Sequence, residues 1–481
     1  MQEETEEEKK ISLKGKGREE KNCFRGSVAL LAAAALLRVA PVLGQTPRPV
    51  TPLSPPSTAT APSGFQQASN IDLSITGSSN ARRPLAIPVT IAPLLPELQT
   101  KAVDPFYTTL ADDLAGSGVF VVADPALYPK GMRPPQNREE GDMWKATSAQ
   151  FLLDTRLSPE GGNVVVEASL WDLGTLKSIL SKKYTGEPRA ARRIAHTLAS
   201  DLVRQFTGKP GPFLTKLAFS SDRDEPRVKE IYTMDFDGES QRRITYSRTL
   251  SLAPDWSPDG TKIVYQSYEK DTPGLWLIGK DGTEKRPIPV PTQLNASPSF
   301  SPDGRTVAFC GSVRGNTEIF TVQTDGSSLK RLTENAAIDS TPRWSPNGRE
   351  LAFTSNRQGT PQIFMMDLEG ANVRRVTLAG NWNDEAAFSP DGGRLAFACR
   401  NEGDFQICVM DLLSGRTVQI SSGSGAHEGP TWSPDGTKIA WEVQHGSSTQ
   451  IAIGNADGSG TARIVTSSGN NYSPSWIKTL E

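Results

Sequence analysis

The side chains that could do covalent or metal chemistry are few and scattered. The 481 residues hold three His, at positions 196, 427 and 445, and four Cys. No His-Glu-x-x-His or Cys-x-x-Cys occurs, so no two ligands fall on one helix turn as a zinc site needs. No Gly-x-Ser-x-Gly occurs either, and with it goes the elbow that exposes a nucleophilic serine. His427 has no Ser and Asp partners and reads as a surface-loop residue. Acids do recur in register: Asp259, Asp303, Asp391 and Asp435 each sit between Pro and Gly. A ring of metal ligands is one reading. Turn chemistry is the other: Pro fixes φ, Asp caps the turn and Gly takes φ > 0, which accounts for the motif completely.

Binding chemistry is better carried by a second set of repeated positions, just ahead of each of these turns. They read Leu294-Asn295, Ile338-Asp339-Ser340, Asn383-Asp384-Glu385, His427-Glu428 and Asn470-Asn471-Tyr472. These segments differ between repeats while the turns do not. Divergent loops on a repeated frame are where recognition sits. Their acids could also hold a hard cation such as calcium through carboxylates and carbonyls; no other cofactor is expected.

The frame that positions them is a repeat. Trp256-Ser-Pro-Asp-Gly260 returns at Phe300, Trp344 (with Asn347 for Asp), Phe388 and Trp432, always 44 residues on, and Trp476 lies another 44 beyond. Each unit reads as four short strands, the signature of a β-propeller, because one blade cannot bury both of its faces alone. First-type strands end at 256, 300, 344, 388, 432 and 476, whereas sets of the other three begin near Leu217, Ile263, Val307, Leu351, Leu395 and Ile439. Six blades follow. The set at Leu217–Thr245 lacks its own first strand, and Tyr472–Trp476 lacks followers, so their pairing closes the ring and removes two sheet edges.

Residues 71–210 form a separate small α/β domain. Strands are expected at Ile71–Thr76, Leu85–Ile91, Val119–Ala123, Phe151–Leu157, Val164–Leu170 and Leu176–Tyr184, and helices at Val103–Leu114 and Ala190–Phe206. In the second helix Ile194, Leu198, Leu202 and Phe206 recur every four residues, with Pro188 before it and Gly208 after it. The fold class is thus two-domain: a small N-terminal α/β domain, then a six-bladed propeller over 211–481 closed by the C-terminal strand.

Ahead of both lie a basic stretch and a twelve-residue apolar run, Gly26–Leu37, too short to span a bilayer but of signal-peptide length. Val42-Leu43-Gly44 reads as a cleavage site, so residues 1–44 are expected to direct export. Residues 45–70 carry six Pro, eight Ser or Thr and one charge, and form an extended spacer. Cleavage leaves Cys310, Cys399 and Cys408, an odd number, so one thiol at least stays unpaired. Cys399 and Cys408 fall on neighbouring strands but not opposite one another, and no disulfide framework follows. A net charge of −2 excludes a nucleic-acid binder working through a dominant basic surface.

These residues carry a family resemblance. The order of export signal, α/β domain and six blades resembles the TolB family of the Tol–Pal system. So do Pro254-Asp-Trp-Ser-Pro-Asp-Gly260, Leu351-Ala-Phe-Thr-Ser-Asn356, Ile363-Phe-Met-Met-Asp367 and the stretch Trp144–Phe219. The resemblance covers about residues 71–481 and implies a monomeric, non-enzymatic periplasmic scaffold that supports outer-membrane integrity and cell division. It implies that a Pal-like peptidoglycan-associated lipoprotein binds at the propeller mouth, on Leu294, Asn295, Ala296, Ser297, Asp339, Ser340, Asp384, Glu385, His427, Glu428, Asn471 and Tyr472. A TolA-like inner-membrane protein would bind a short segment, here Ile71, Asp72, Leu73, Ser74, Ile75, Thr76 and Gly77. In the family that segment directly follows the cleavage site, whereas here the spacer intervenes. A propeller for another envelope ligand, and less so a metal-dependent propeller hydrolase, are the alternative readings.

Overall fold

A computed structural model describes residues 82–91, 96–129, 134–135, 137–270 and 272–479. The export signal, the spacer and the Ile71–Gly77 segment therefore lie outside the described residues. The amino-terminal domain is one six-stranded mixed sheet. Strands β1 (Arg83–Ala86) and β2 (Val89–Ile91) both run parallel to β4 (Phe151–Glu160), and β3 (Phe120–Val122) runs parallel to β1. The single strand expected over Leu85–Ile91 is thus broken at Ile87-Pro88, where Pro88 has no amide to give a ladder. Antiparallel β5 (Asn163–Asp172) and β6 (Lys177–Gly186) extend the sheet from β4. The β4–β5 turn is Gly161-Gly162, with φ of 57° and 84°, the pair of positive values a two-residue hairpin requires.

Helices α1 (Asp104–Gly116) and α3 (Ala191–Thr207) pack against each other and the sheet. Ile194, Leu198 and Leu202 are buried as their spacing demands, and the helix stops at Gly208 in the left-handed region. Between them lies an unexpected helix, α2 (Arg138–Lys145). Its signal is a cap and no apolar stripe. Asn137 accepts a hydrogen bond from Glu140 N at 2.9 Å and donates back to the Glu140 carboxylate at 3.0 Å, while Trp144 alone of its large side chains is buried.

Six four-stranded antiparallel sheets then form the ring. Blade I joins Lys216–Ser221, Glu230–Asp235 and Arg242–Arg243 to Asn471–Trp476, so the closure read from the repeat holds. The innermost strands of blades II to VI are Ser251–Trp256, Gln293–Phe300, Asp339–Trp344, Trp382–Phe388 and His427–Trp432. All six inner strands carry the same irregularity. Ala253, Ser297, Thr341, Glu385, Gly429 and Ser473, one per blade and 44 apart, have φ between 48° and 62°, and each sits at a register shift. This is a repeated β-bulge. Five of the six residues that follow are Pro, tolerated because the inner strand is an edge facing the channel.

The Ser-Pro-Asp-Gly turns are closed by their own side chains. Asp259 accepts from Ser257 Oγ at 2.6 Å and from Thr261 N at 3.1 Å, and Asp303, Asp391 and Asp435 repeat the pattern. Those Ser hydroxyls hold Asp259, Asp303 and Asp391 below the usual carboxylate range. They are turn residues and not a metal ring. A second staple joins the third and fourth strands. Thr245, Thr333, Thr377, Ser421 and Thr466 donate from their hydroxyls to Glu230, Glu318, Gln362, Gln406 and Gln450. Blade II lacks it, with Gly274 and Pro289 at those positions.

The amino-terminal domain sits on the end of the ring that bears these turns. Lys438 donates to the Gly116 carbonyl at the end of α1, and Arg192 of α3 donates to Asp237 at 2.7 Å and to Asp235 in blade I. Between them His196 Nδ1 lies 2.6 Å from Asp113 of α1, and its Nε2 lies 3.2 Å from Asp237. This cluster is almost fully buried, with His196 4% and Asp113 3% exposed.

One sulfur expectation is corrected. Cys399 and Cys408 are disulfide-bonded, with Cα atoms 5.9 Å apart. They are indeed not opposite: Cys399 faces Gln406 and Cys408 faces Phe397. The diagonal between such positions still falls within the ~4.4–6.8 Å that a disulfide bridges. Cys310 remains a free, buried thiol.

Candidate partner-binding mouth and central channel

The start of each inner strand lies at the end of the ring opposite the amino-terminal domain. Here the expected loop residues divide into two groups. The position that reads Asn295, Asp339, Asn383, His427 and Asn471 is already strand, and it is buried throughout. Asn295 donates to the Thr292 carbonyl at 2.9 Å. Asp339 accepts from Arg357 at 2.9 Å and Asn335 at 2.8 Å. Asn471 donates to Gln450 at 2.9 Å and accepts from Arg223 at 2.8 Å. His427 is no surface-loop residue: Trp441 Nε1 donates to its Nδ1 at 3.1 Å, it is 6% exposed, and burial pushes its pKa down. These side chains hold the strand in place and are not free to meet a partner. Ala296 and Ser340 are buried as well, and Asp384 is spent on Thr354 Oγ1 at 2.6 Å and Glu385 N at 2.7 Å.

The second group, Leu294, Ser297, Glu385, Glu428 and Tyr472, reaches the mouth or the channel. Glu428 is paired across the strands with Glu442, and burial and that second carboxyl raise it to about 8. Burial raises Glu385 well above the usual range, helped by Asp384, Glu428 and Glu442, although Gly429 N donates to it at 2.7 Å. Glu442 is raised by burial too, against a hydrogen bond from Ser473 N at 2.7 Å and the nearby Lys229. Lys229 rests 3.4 Å from the centre of the Tyr472 ring. The mouth therefore concentrates carboxyl groups that resist ionisation, ready to gain from a cation. Among the described residues, however, no three His, Cys, Asp or Glu side chains are arranged to hold a metal ion, so the geometry does not carry the calcium expectation. Neither Glu442, on the second strand of blade VI, nor Lys229, just ahead of the third strand of blade I, lies in the segments that vary between repeats; the strand pairing places Glu442 opposite Glu428.

The mouth leads into a channel of about 320 Å³. Alternate residues of the inner strands line it, Ser299, Arg343 and Thr431 among them. At the turn end the prolines of the five Ser-Pro-Asp/Asn-Gly turns form a collar, with Lys478 in the sixth place. Asp255 is fully engaged there, accepting from Phe300 N at 2.8 Å, Lys478 at 3.0 Å and Ser475 at 3.2 Å.

Comparison with known proteins follows the two domains. Residues 203–480 match the family model described as TolB beta propeller domain, and residues 71–179 match the TolB amino-terminal domain. The Tol-Pal system protein TolB of Desulfosudis oleivorans is 32% identical over 199 residues, 40% of this chain and 44% of that protein. That of Geobacter metallireducens is 37% identical over 153 residues, 31% of this chain and 35% of that protein. The chain thus spans less than half the length of these curated relatives. The crystal structure of TolB from Acinetobacter baumannii superposes with a TM-score of 0.70 at 24% identity, covering 82% of this chain and 96% of that one. That likeness speaks for the fold.

Proposed function

Since the chain belongs to the TolB family, we propose that it is a non-enzymatic periplasmic adaptor of a Tol–Pal system, taking a Pal-like lipoprotein at the propeller mouth. The observation that carries this reading is the asymmetry of the ring. One end is covered by the amino-terminal domain through Arg192, Lys438 and the His196 cluster. At the other end, where the inner strands begin, Leu294, Glu428 and Tyr472 are partly exposed, and Glu428 stands opposite Glu442, which supports an acidic docking face there. A TolA-like protein would bind Ile71–Gly77, on the far side of the spacer from the export signal. No helix among the described residues is long and apolar enough to cross a membrane.

The test is capture from solubilised envelopes by the mature protein. A Pal-like lipoprotein is expected on the wild type and is expected to be lost from Leu294→Arg and from Tyr472→Ala. Deletion of residues 71–77 should leave that capture intact while removing a TolA-like partner. Equal capture by all three variants and the wild type would overturn the mouth assignment.

A further inference from the structure

The channel holds one charge that the fold does not answer. Of the residues lining it, Asp255 and Lys478 neutralise each other at 3.0 Å. Glu385 sits where its ionised form is disfavoured. Arg343 projects from the inner strand of blade IV. Its guanidinium donates a hydrogen bond to the carbonyl of its own neighbour, Pro342, at 3.0 Å. Among the described residues no carboxylate stands within ion-pair distance of it.

Arg343 is half-buried in the channel wall, and a guanidinium with five N–H donors and one carbonyl partner keeps donors free for a ligand. Its planar fork of donors matches a carboxylate in a bidentate pair, and the low-dielectric surroundings strengthen that pair. The count of charges sets the ligand's valence. One unanswered positive charge, with Asp255 and Glu385 nearby, favours a monoanion over a dianion. The collar of Pro302, Pro346 and Pro390 and the face of Trp344 favour an apolar body behind the charge. The volume of about 320 Å³ lies at the small end of the ~300–1,000 Å³ range of ligand pockets.

We propose that the channel binds a small monocarboxylate with an apolar body, its carboxylate held by the Arg343 guanidinium. The free C-terminus of a short peptide has this chemistry, as does an N-acylated amino acid. The site lies inside the ring and is independent of the partner reading above.

The test uses the purified full chain. Trp344, Trp432 and Trp476 line the channel, so their fluorescence reports occupancy. N-acetylalanine is titrated against its uncharged amide and against inorganic phosphate, with calorimetry as the second readout. Saturable binding of N-acetylalanine is expected, with the amide and phosphate each at least tenfold weaker. Arg343→Gln is expected to weaken it by about 10- to 100-fold, the range for a hydrogen bond to a charged group, and Arg343→Lys to restore it only in part. Thermal melts of the free variants show that they fold. No saturable binding, equal binding of the amide or of phosphate, or unchanged binding by a folded Arg343→Gln overturns the assignment.

Discussion

Replacing the buried pair at the domain junction by its uncharged likeness, Asp113→Asn with His196→Gln, should remove a specific dependence of stability on pH. Burial alone would lower the pKa of His196. The hydrogen bonds and charges of Asp113 and Asp237 outweigh it and raise the imidazole from 6.5 to about 9. A folded pKa above the unfolded one means that the folded state binds the proton more tightly. The resulting stabilisation is complete below pH 6.5 and is lost as pH climbs through 9. At ~1.4 kcal/mol per pKa unit the shift corresponds to about 3 kcal/mol. Asp113, raised by burial to about 6 against its bond to His196, changes charge in a lower window, between 3.8 and 6. Glu428, raised from 4.5 to about 8, contributes with the same sign between those two values and overlaps the lower part of the His196 window, so wild type must be compared with the double variant. Urea unfolding of both proteins from pH 6 to 10 should show the wild type losing about 3 kcal/mol more than the variant. The imidazole proton resonances of His196 should titrate near 9. Parallel stability curves, or an imidazole that titrates at or below 6.5, would refute the reasoning.

Glu318→Ala should cost blade III about 3 kcal/mol, because it removes the buried carboxylate that pairs with Arg331 and accepts from Thr333, whereas Thr333→Val should cost about 1 kcal/mol; urea unfolding measures both. Blade II, which lacks this staple, should exchange its third-strand amides faster than blade III in native-state hydrogen exchange. Gly370 has φ of +80°, and a Cβ there would lie 2.1 Å from the Leu332 carbonyl oxygen, whereas Gly359, at φ +105°, opens on free space. Gly370→Ala should therefore lower stability by more than 2 kcal/mol, and Gly359→Ala by about 1 kcal/mol. Reducing the Cys399–Cys408 bond, with its sequence separation of 9, should cost about 2–3 kcal/mol by chain entropy. Cys310, whose thiol burial raises to about 11, should stay unmodified by thiol reagents until the protein unfolds.

What could be read in advance depended on whether a signal repeats. The 44-residue spacing gave blade number, turn chemistry and ring closure, because every blade must solve the same packing problem. The bulge at Ala253, Ser297, Thr341, Glu385, Gly429 and Ser473 repeats in backbone angle but not in residue type, so the letters conceal it. The same holds for the mouth. Asn295, Asp339 and Asn471 vary between blades as partner-facing residues would, yet each solves the same internal task with a different hydrogen bond. Variation by itself did not separate recognition from local repair. Helix α2 buries a single large side chain and so shows no apolar stripe; its signal in the sequence is the Asn137–Glu140 cap. The disulfide is hidden because Cys399 and Cys408 lie on a diagonal and not directly opposite each other, although their Cα atoms are 5.9 Å apart.

The seam of blade I sets the order in which the ring can be built. Asn471 pairs with Ser221 across some 250 residues of chain, so of the six propeller sheets the one that synthesis starts first is the one it finishes last. Until Asn471–Trp476 emerges, the edge of Lys216–Ser221 is open and the five other blades have no closed circle to press against. Contacts this distant in sequence form slowly. Until that strand is in place, the bare edge of Lys216–Ser221 is a template on which another chain can pair.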